Sequence, residues 1–284
     1  MKSKRAKSLQ RVGGKTMLEM ICKTAESISA KITLIVGFDK NSIINESKSF
    51  DFEISTCEQA SPIGTGDAVK CGINEVDDAD KVLVLYGDVP LIKKETLENL
   101  VSIDDKSLTI LSTKVDDPFG YGRVIKDNDG NVTQIIEEKD ASNADKKISE
   151  IFTGILCCNK VLLAEALKEI KNDNAAGEYY LTDIVSIINK QGFKIKTCVV
   201  PVEEVKGANT KKELSELEET FRKMKSEDLL EMGITISDPN RVDVRGKVSA
   251  GTDCNIDVNV ILDGVVKLGD CLLYTSPSPR DSDQ

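Results

Sequence analysis

Hydrophobic positions recur along the chain with helical spacing in some segments and as short unbroken runs in others. Met17, Ile21, Ala25 and Ile28 share one helical stripe, and Thr16 with Glu19 forms a capping box at its start. Helices are predicted at Thr16–Ser29, Glu95–Val101, Val161–Ile170 and Tyr180–Lys190, and strands at Ile32–Val36, Lys81–Tyr86, Leu108–Thr113, Ile151–Cys157 and Ile195–Val200. This alternation predicts an α/β domain with a largely parallel sheet covered by helices on both faces.

The segment Tyr121–Ile136 has a different pattern. Asp127–Asn131 is rich in turn residues and separates two short apolar runs, which predicts a β-hairpin. Further on, Leu214, Leu217, Phe221 and Met224 recur at helical spacing in a highly charged stretch. This pattern predicts a linker helix between domains.

A six-residue period begins after about residue 240. Its two series are Val248, Cys254, Val260, Val266 and Ala250, Ile256, Leu262, Leu268. Small or aliphatic residues at this period are typical of a hexapeptide β-helix. The period stops after Gly269, and residues 271–284 fit none of these patterns. We expect 271–284 to be a non-native tail; a natural flexible tail is the alternative.

The amino-acid composition argues against several classes of function. The 284 residues include 38 Lys and Arg, 48 Asp and Glu and no His, which gives a net charge of −10. An acidic chain disfavours a nucleic-acid partner, and the absence of His excludes imidazole-based catalysis. No apolar run is long enough to span a membrane. The eight cysteines form no Cys-x-x-Cys pair, which favours reduced core thiols in a cytoplasmic protein.

Three segments carry residues suited to ligand binding. Asp88 follows the predicted strand Lys81–Tyr86, where a carboxylate could hold Mg²⁺ or merely cap a turn. The glycine-rich segment Ser61–Asp67 enters a helix, so its amides could hold an anion or a base edge. Gly120–Arg123 opens the hairpin, and its glycines would allow a ligand to approach the backbone. Each glycine-rich segment could also be an ordinary turn.

Five motifs, taken together and in their order along the chain, indicate a family more specifically than any of these segments alone. The motifs are Leu85–Leu91, Asp117–Arg123, Glu137–Asp140, Gly177–Asp183 and Val205–Asn209. The chain resembles the nucleotidyltransferases that make sugar nucleotides. It is most similar to the bifunctional bacterial enzymes with N-acetylglucosamine-1-phosphate uridylyltransferase and glucosamine-1-phosphate acetyltransferase activities.

The resemblance implies a domain organisation. Residues 1–208 would form a Rossmann-like nucleotidyltransferase domain with a GT-A-like mixed sheet, and 209–233 would form a linker helix. Residues 234–270 would begin a left-handed hexapeptide β-helix, the acetyltransferase domain. The family's opening strand and glycine-rich triphosphate loop would lie before Met1. We therefore expect an internal fragment, truncated at both ends, without uridylyltransferase or acetyltransferase activity of its own.

The resemblance also assigns site residues. Lys7 would contact phosphate and, with Asp88, act in catalysis, while Asp88 and Asn209 would hold Mg²⁺. The nucleotide and sugar contacts would be Gln59 on the uracil edge, Gly64 and Thr65 on the base, Tyr86 and Gly87 on the ribose and sugar side, and Gly122, Glu137 and position 152 on N-acetylglucosamine. The family usually has Asn where this chain has Phe152, so either Phe152 stacks on the sugar or it is a sequencing error. In the second case Phe152→Asn would lower the KM for the sugar phosphate.

The implied reaction joins UTP and N-acetylglucosamine 1-phosphate, giving UDP-N-acetylglucosamine and pyrophosphate. The product would feed cell-wall and outer-envelope polysaccharide synthesis, and the parent would be a homotrimer assembled through the β-helix. Two alternatives stay open: a catalytically silent module that binds nucleotide sugars, and a pyrophosphorylase for a related sugar phosphate.

Overall fold

The computed structural model describes residues 1, 3–76, 79–102 and 107–275. The strands are β1 Arg11–Val12, β2 Lys15–Thr16, β3 Ile32–Val36, β4 Ile54–Glu58, β5 Lys81–Val84, β6 Leu108–Lys114, β7 Arg123–Lys126, β8 Val132–Ile136, β9 Glu150–Asn159, β10 Ile195–Val199, β11 Thr235–Ile236, β12 Val242–Ala250, β13 Asn255–Ile256, β14 Val260–Leu268 and β15 Leu273–Tyr274. The helices are α1 Met17–Glu26, α2 Lys40–Ser47, α3 Thr65–Ile73, α4 Lys94–Ser102, α5 Lys160–Glu169, α6 Asp183–Lys190, α7 Val202–Val205 and α8 Lys211–Glu231. Most of the predicted tail, 276–284, lies outside the described residues.

The chain divides into two compact units. Of the described residues, the larger contains those within 3–9 and 18–206, and the smaller contains 1, 10–17 and 207–275. The boundaries expected at 208, 233 and 270 stay predictions.

A six-stranded mixed sheet organises the larger unit. Its strand order is β10-β6-β9-β7-β8, and β5 pairs with β9 beside this path. Strands β3 and β4 form a separate parallel pair. The prediction of a mixed sheet is confirmed, but the expectation of a largely parallel one is wrong. Strand β10 runs parallel to β6, whereas β9 runs antiparallel to β5, β6 and β7. The apolar runs indicate burial on both faces, and burial does not encode strand direction.

Strand β9 shares one of its edges between two partners. At its C-terminal half it pairs with β5, with Val84 opposite Leu156. At its N-terminal half it meets β7, with Arg123 opposite Ile151. Between these two pairings lie residues 152–155. The end of β5 and the beginning of β7 therefore both open toward this short interval of β9.

Apolar side chains cover both faces of the sheet. One core gathers residues of β6, β8 and β9 with α3, α5 and α6, and includes Phe152 and Leu181. The other gathers α1, α4, Leu9 and Val89 against the alternate residues of β6 and β9, including Leu111 and Ile155. The alternation along β9 sends neighbouring side chains to opposite cores, as strand geometry requires.

The smaller unit stacks parallel strands at a fixed offset. Strand β12 pairs with β14 in continuous register from Val242↔Val260 to Ala250↔Leu268. This offset of 18 residues (260 − 242) is three times the six-residue period. All eight members of the two six-residue series lie in or against one apolar core. Gly246 is required there, because a Cβ on it would lie 1.8 Å from the carbonyl oxygen of Gly264.

Within the same unit the β1–β2 hairpin contacts α8. The backbone N–H of Gly13 donates to both carboxylate oxygens of Glu218, at 3.0 and 3.2 Å, and Lys211 donates to Gln10 at 2.5 Å. The hairpin thus packs on the N-terminal half of the long helix, whose start is capped by Thr210.

In the described residues no helix is both long and apolar enough to cross a membrane. All eight cysteines lie in the described part of the chain, and each is a free thiol.

Candidate active site

The ring of Tyr86, just after β5, packs against β9 at Gly154, which lies between the β5 and β7 pairings of that strand. A Cβ on Gly154 would lie 2.6 Å from the Tyr86 ring, and Gly154 has φ +88°. Only glycine allows the ring to lie this close to β9. Burial raises the pKa of Tyr86 to about 12, and a hydrogen bond with Thr65 acts in the opposite direction. Tyr86 is therefore a neutral phenol at physiological pH.

The glycine-rich segment before α3 is held by the backbone that precedes α6. Tyr179 N–H donates to Ile63 O at 2.9 Å, and Gly66 N–H donates to Tyr179 O at 2.8 Å. Leu181 N–H donates to the Thr65 hydroxyl at 3.1 Å. Gly64 has φ +135°, so the turn conformation itself requires glycine. These contacts fix the predicted base-binding turn on two sides.

Gln59 lies at the end of β4, beside this turn. Its amide nitrogen Nε2 donates to Gly64 O at 3.1 Å and to Asp67 Oδ2 at 2.8 Å. Its backbone N–H donates to Val36 O at 2.8 Å, which continues the β3–β4 pairing. The predicted base-reading side chain is therefore held in one orientation.

Gly122 and Glu137 adjoin at the start of the hairpin. A Cβ on Gly122 would lie 2.8 Å from Ile135 and 3.6 Å from Glu137 Oε2. Gly122 O accepts a hydrogen bond from Phe152 N–H at 2.8 Å, which ties the turn to β9. Burial raises the pKa of Glu137, opposed by the Thr182 hydroxyl, which donates to Glu137 Oε1 at 3.0 Å.

Phe152 takes part in this region through its backbone. Its side chain is only 6% exposed and belongs to the core that contains Val124 and Ile135. A sugar contact by the Phe152 side chain stays a prediction from the resemblance.

Asp88 lies near Tyr86, and Lys7 lies near Asp88. Asp88 is half-buried, and this burial raises its pKa, while the positive charge of Lys7 acts in the opposite direction. Lys7 begins a 3₁₀ turn, Lys7–Leu9, and a Cβ on Gly87 would lie 3.4 Å from Ser8. The structure thus places the predicted phosphate-binding Lys close enough to the predicted metal ligand to affect its charge.

Predicted site residues of the larger unit, joined by Thr182 and Leu181, form one closed ring of contacts. It runs from Thr65 to Tyr86, across β9 at 152–154 to Gly122, on to Glu137 and Thr182, and back through Leu181 to Thr65. Gln59 contacts Gly64, which precedes Thr65 in the chain. Lys7 interacts with Asp88, which follows Tyr86 by two residues.

Asn209, the second predicted metal ligand, belongs to the smaller unit. Its backbone N–H donates to Glu213 Oε2 at 2.6 Å, at the beginning of α8. Its role toward a metal stays a prediction.

A buried arginine braces the hairpin side of the ring. Arg123 is 1% exposed, and its guanidinium donates to the carbonyl oxygen of Tyr121 and to Glu138 Oε2, the latter at 2.6 Å. Gly120 N–H donates to the same Glu138 oxygen at 3.2 Å. The pKa of Glu138 is lowered, chiefly by the hydrogen bond from Arg123. The Gly120–Gly122 turn and the segment after β8 are therefore linked by one ion pair.

The sequence analysis did not single out Thr182, Tyr179 or Gly154 as site residues. Thr182 and Tyr179 lie in the motif Gly177–Asp183, but their contacts join segments far apart in the sequence. A glycine inside a strand often marks a close approach, so Gly154 did carry a local signal.

In the described part of the chain, no three acidic or thiol side chains form a metal-binding group. Asp88 nonetheless fits Mg²⁺ that is shared with phosphate oxygens, because such sites use one or two carboxylates together with the substrate. Its partial burial leaves a carboxylate charge that a cation would stabilise.

The class of protein follows from this fold and from sequence comparison. Residues 1–150 match the family of MobA-like NTP transferase domains, and the chain belongs to that family. Solved structures share the fold: HddC from Yersinia pseudotuberculosis has a TM-score of 0.56 at 19% identity and covers 78% of this chain and 92% of its own. The nucleoside-diphosphate-sugar pyrophosphorylase from Vibrio cholerae RC9 has a TM-score of 0.59 at 16% identity, over 76% and 93% of the two chains.

Among individual proteins, the chain is similar to those named Bifunctional protein GlmU. It is 40% identical to that of Psychrobacter sp. (strain PRwf-1) over 271 residues, which are 95% of this chain and 59% of the relative. It is likewise 40% identical to that of Neisseria meningitidis serogroup C / serotype 2a (strain FAM18), over 95% of this chain and 59% of the relative. The chain thus spans about 59% of the length of these relatives.

Proposed function

We propose that this chain forms the nucleotidyltransferase part of a protein that transfers a uridylyl group from UTP to N-acetylglucosamine 1-phosphate. The products are UDP-N-acetylglucosamine and pyrophosphate. Membership of the NTP transferase family and 40% identity to proteins named Bifunctional protein GlmU support this proposal. The observation that carries it is the closed ring of contacts, which joins the predicted base, ribose and sugar residues around Tyr86.

In the proposed reaction, a phosphate oxygen of the sugar phosphate attacks the α-phosphorus of UTP. A P–O bond forms as the bond to the leaving pyrophosphate breaks, so no enzyme nucleophile is required. The chain contributes positioning and charge. The turn at Gly64 and Thr65 holds the base, Glu137 and the Gly122 backbone hold the sugar, and Lys7 stabilises phosphate charge.

The proposed reaction also uses Mg²⁺, held by Asp88 and, by the resemblance, by Asn209. A bound Mg²⁺ would neutralise charge on the phosphate oxygens. Lys7 and Asp88 carry opposite charges beside Tyr86, so the chain offers one anchor for phosphate and one for the cation.

We further propose that residues 234–270, within the smaller unit, are the beginning of a left-handed hexapeptide β-helix. The 18-residue strand offset and the inward placement of both six-residue series support this. By the resemblance, the rest of such a helix would carry acetyl transfer to glucosamine 1-phosphate and would assemble a homotrimer.

The test measures pyrophosphate release from UTP and N-acetylglucosamine 1-phosphate, with Mg²⁺ present. Two proteins are assayed: this chain, and this chain preceded by the N-terminal segment of the Psychrobacter relative. We expect release by the extended protein and none above background by the chain alone. Activity only with another nucleotide or sugar phosphate would favour a related pyrophosphorylase. Ligand binding by the extended protein without turnover would favour a silent nucleotide-sugar-binding module.

A further inference from the structure

The side-chain amide of Gln59 faces two partners that can only accept hydrogen bonds. Nε2 lies 2.8 Å from the Asp67 carboxylate and 3.1 Å from the carbonyl oxygen of Gly64. A carboxylate and a peptide carbonyl have no hydrogen to donate, so both require the NH₂ group. Turning the amide over would place its oxygen against two other oxygens. The two contacts therefore fix which end of the amide faces them.

Two parts of the fold hold this arrangement in place. Asp67 lies in the first turn of α3, where a carboxylate interacts favourably with the helix N-terminus. Gly64 is held at φ +135° against the backbone of Tyr179. Neither acceptor depends on a long flexible side chain, so the amide orientation is set before any ligand arrives.

We infer that Asp67 is a positioning residue that makes Gln59 present its amide oxygen, and so selects a nucleobase whose pairing edge carries a ring N–H donor. This inference rests on the proposed function, which places a base beside Gln59. Uracil has an N3–H and guanine an N1–H at that position. Cytosine and adenine have a bare ring nitrogen there, which would face the amide oxygen without a hydrogen between them.

The selection acts through one atom. The Gln59 amide oxygen accepts a hydrogen bond from a ring N–H. Facing the lone pair of a bare ring nitrogen, the same oxygen has no hydrogen bond and is repelled. Because Gln59 is half-buried, the discrimination should be moderate: about tenfold between UDP and CDP. Guanine is larger than uracil, so the size of the turn, and not Gln59, would have to separate those two.

The experiment measures dissociation constants of UDP, CDP, GDP and ADP for the full chain by titration calorimetry. The variants are Asp67→Ala, which removes the acceptor, and Asp67→Glu, which keeps a carboxylate acceptor. The control is Glu95→Gln, which removes a first-turn carboxylate from α4 in the same unit. Thermal unfolding of each variant is recorded alongside.

We expect UDP to bind about tenfold tighter than CDP in the unmodified chain and in Glu95→Gln. Asp67→Ala should narrow this ratio to within about threefold, because Gly64 O alone then orients the amide. Asp67→Glu should restore most of the ratio. A structural effect alone would weaken UDP and CDP equally and leave their ratio unchanged.

Several results would overturn the inference. One is tighter binding of CDP or ADP than of UDP and GDP by the unmodified chain, a ranking that needs no variant to fold. Another is an unchanged UDP-to-CDP ratio in folded Asp67→Ala. A preference for GDP over UDP would contradict the proposed uridylyl substrate but support the orientation of Gln59. Absence of binding by all four nucleotides would overturn the inference, whereas the proposed function is judged separately, by pyrophosphate release from the extended protein.

Discussion

Gly64 lies against the backbone of Tyr179 so closely that no side chain fits between them. A Cβ on Gly64 would lie 2.3 Å from Tyr179 O and 2.6 Å from Tyr179 N. Both atoms belong to the backbone that donates to and accepts from the same turn, so neither can move independently. The proposed base-binding turn is thus supported by a segment that follows it by more than a hundred positions in the sequence.

We therefore expect Gly64→Ala to lower the free energy of unfolding by about 2–4 kcal/mol, from the steric clash and the unfavourable φ together. Chemical denaturation followed by circular dichroism measures this. Gly130→Ala is the control: it has φ +82° but nothing within 4 Å of its Cβ position, and should cost only about 1–2 kcal/mol. Equal losses of unfolding free energy in the two variants would show that the backbone of Tyr179 moves to accommodate the added Cβ.

Asp88→Asn tests the proposed metal ligand. The change keeps the shape but removes the charge from a site suited to a hard cation. In the N-terminally extended protein we expect kcat/KM to fall at least about 100-fold, roughly 2.7 kcal/mol. Steady-state kinetics at several Mg²⁺ concentrations measures it. A change below about threefold would indicate that Asp88 only shapes the turn.

Glu137 should make stability depend on pH. Burial and the nearby Asp183 and Asp140 raise its pKa, while Thr182 and Arg123 act in the opposite direction. A carboxyl whose pKa is raised in the folded state favours folding when protonated. Its stabilising contribution is complete below the ordinary pKa and is lost as the pH rises through the folded value.

Glu137→Gln should consequently raise the melting temperature at pH 7.5, and the difference from the unmodified chain should shrink toward pH 4. The glutamine oxygen can still accept the hydrogen bond from Thr182, so the comparison isolates the charge. Differential scanning calorimetry across this pH range measures the effect. A lower melting temperature at pH 7.5 would mean that attraction to Arg123 outweighs burial. Binding of UDP-N-acetylglucosamine should weaken in the same variant, because the proposed sugar contact is altered.

Phe152→Asn should be costly for stability. The side chain is buried in the core with Val124 and Ile135, so the variant leaves a cavity and an unsatisfied amide there. The expected loss is about 3–5 kcal/mol, against about 1 kcal/mol for Phe152→Leu. Denaturant titration of both variants measures this. A stable Phe152→Asn with a lower KM for the sugar phosphate, as the resemblance implies, would instead show that the amide reaches the ligand.

Much of the larger unit follows from local pattern. The predicted strand Ile32–Val36 agrees with β3, and the hairpin turn at Asp127–Asn131 separates β7 from β8, because period and turn chemistry act over a few residues. Strand direction was not predictable in the same way. Strand β9 pairs with partners that lie far before it in the sequence, and its own apolar run suits either direction.

In the candidate site, too, some residues have local sequence signals and some contacts arise only from tertiary packing. Gly64, Asp88 and Gly122 have local signals, since each lies in a turn next to an apolar run. The hydrogen bond from Thr182 to Glu137 and the support of Gly64 by Tyr179 come from tertiary packing. The predicted ligand contacts come from the resemblance, whereas the contacts that hold those residues in place depend on the tertiary structure.

The position of β9 between its partners has a consequence for unfolding. Strands β5, β6 and β7 all pair with β9. Separation of β9 from any of them would therefore disrupt residues 152–155, which contact Tyr86 and Gly122. Local unfolding should therefore not disrupt the candidate site while the sheet stays folded. We expect the amide protons of β9 to exchange only through global unfolding of the larger unit. Ligand binding and sheet structure should be lost at the same denaturant concentration.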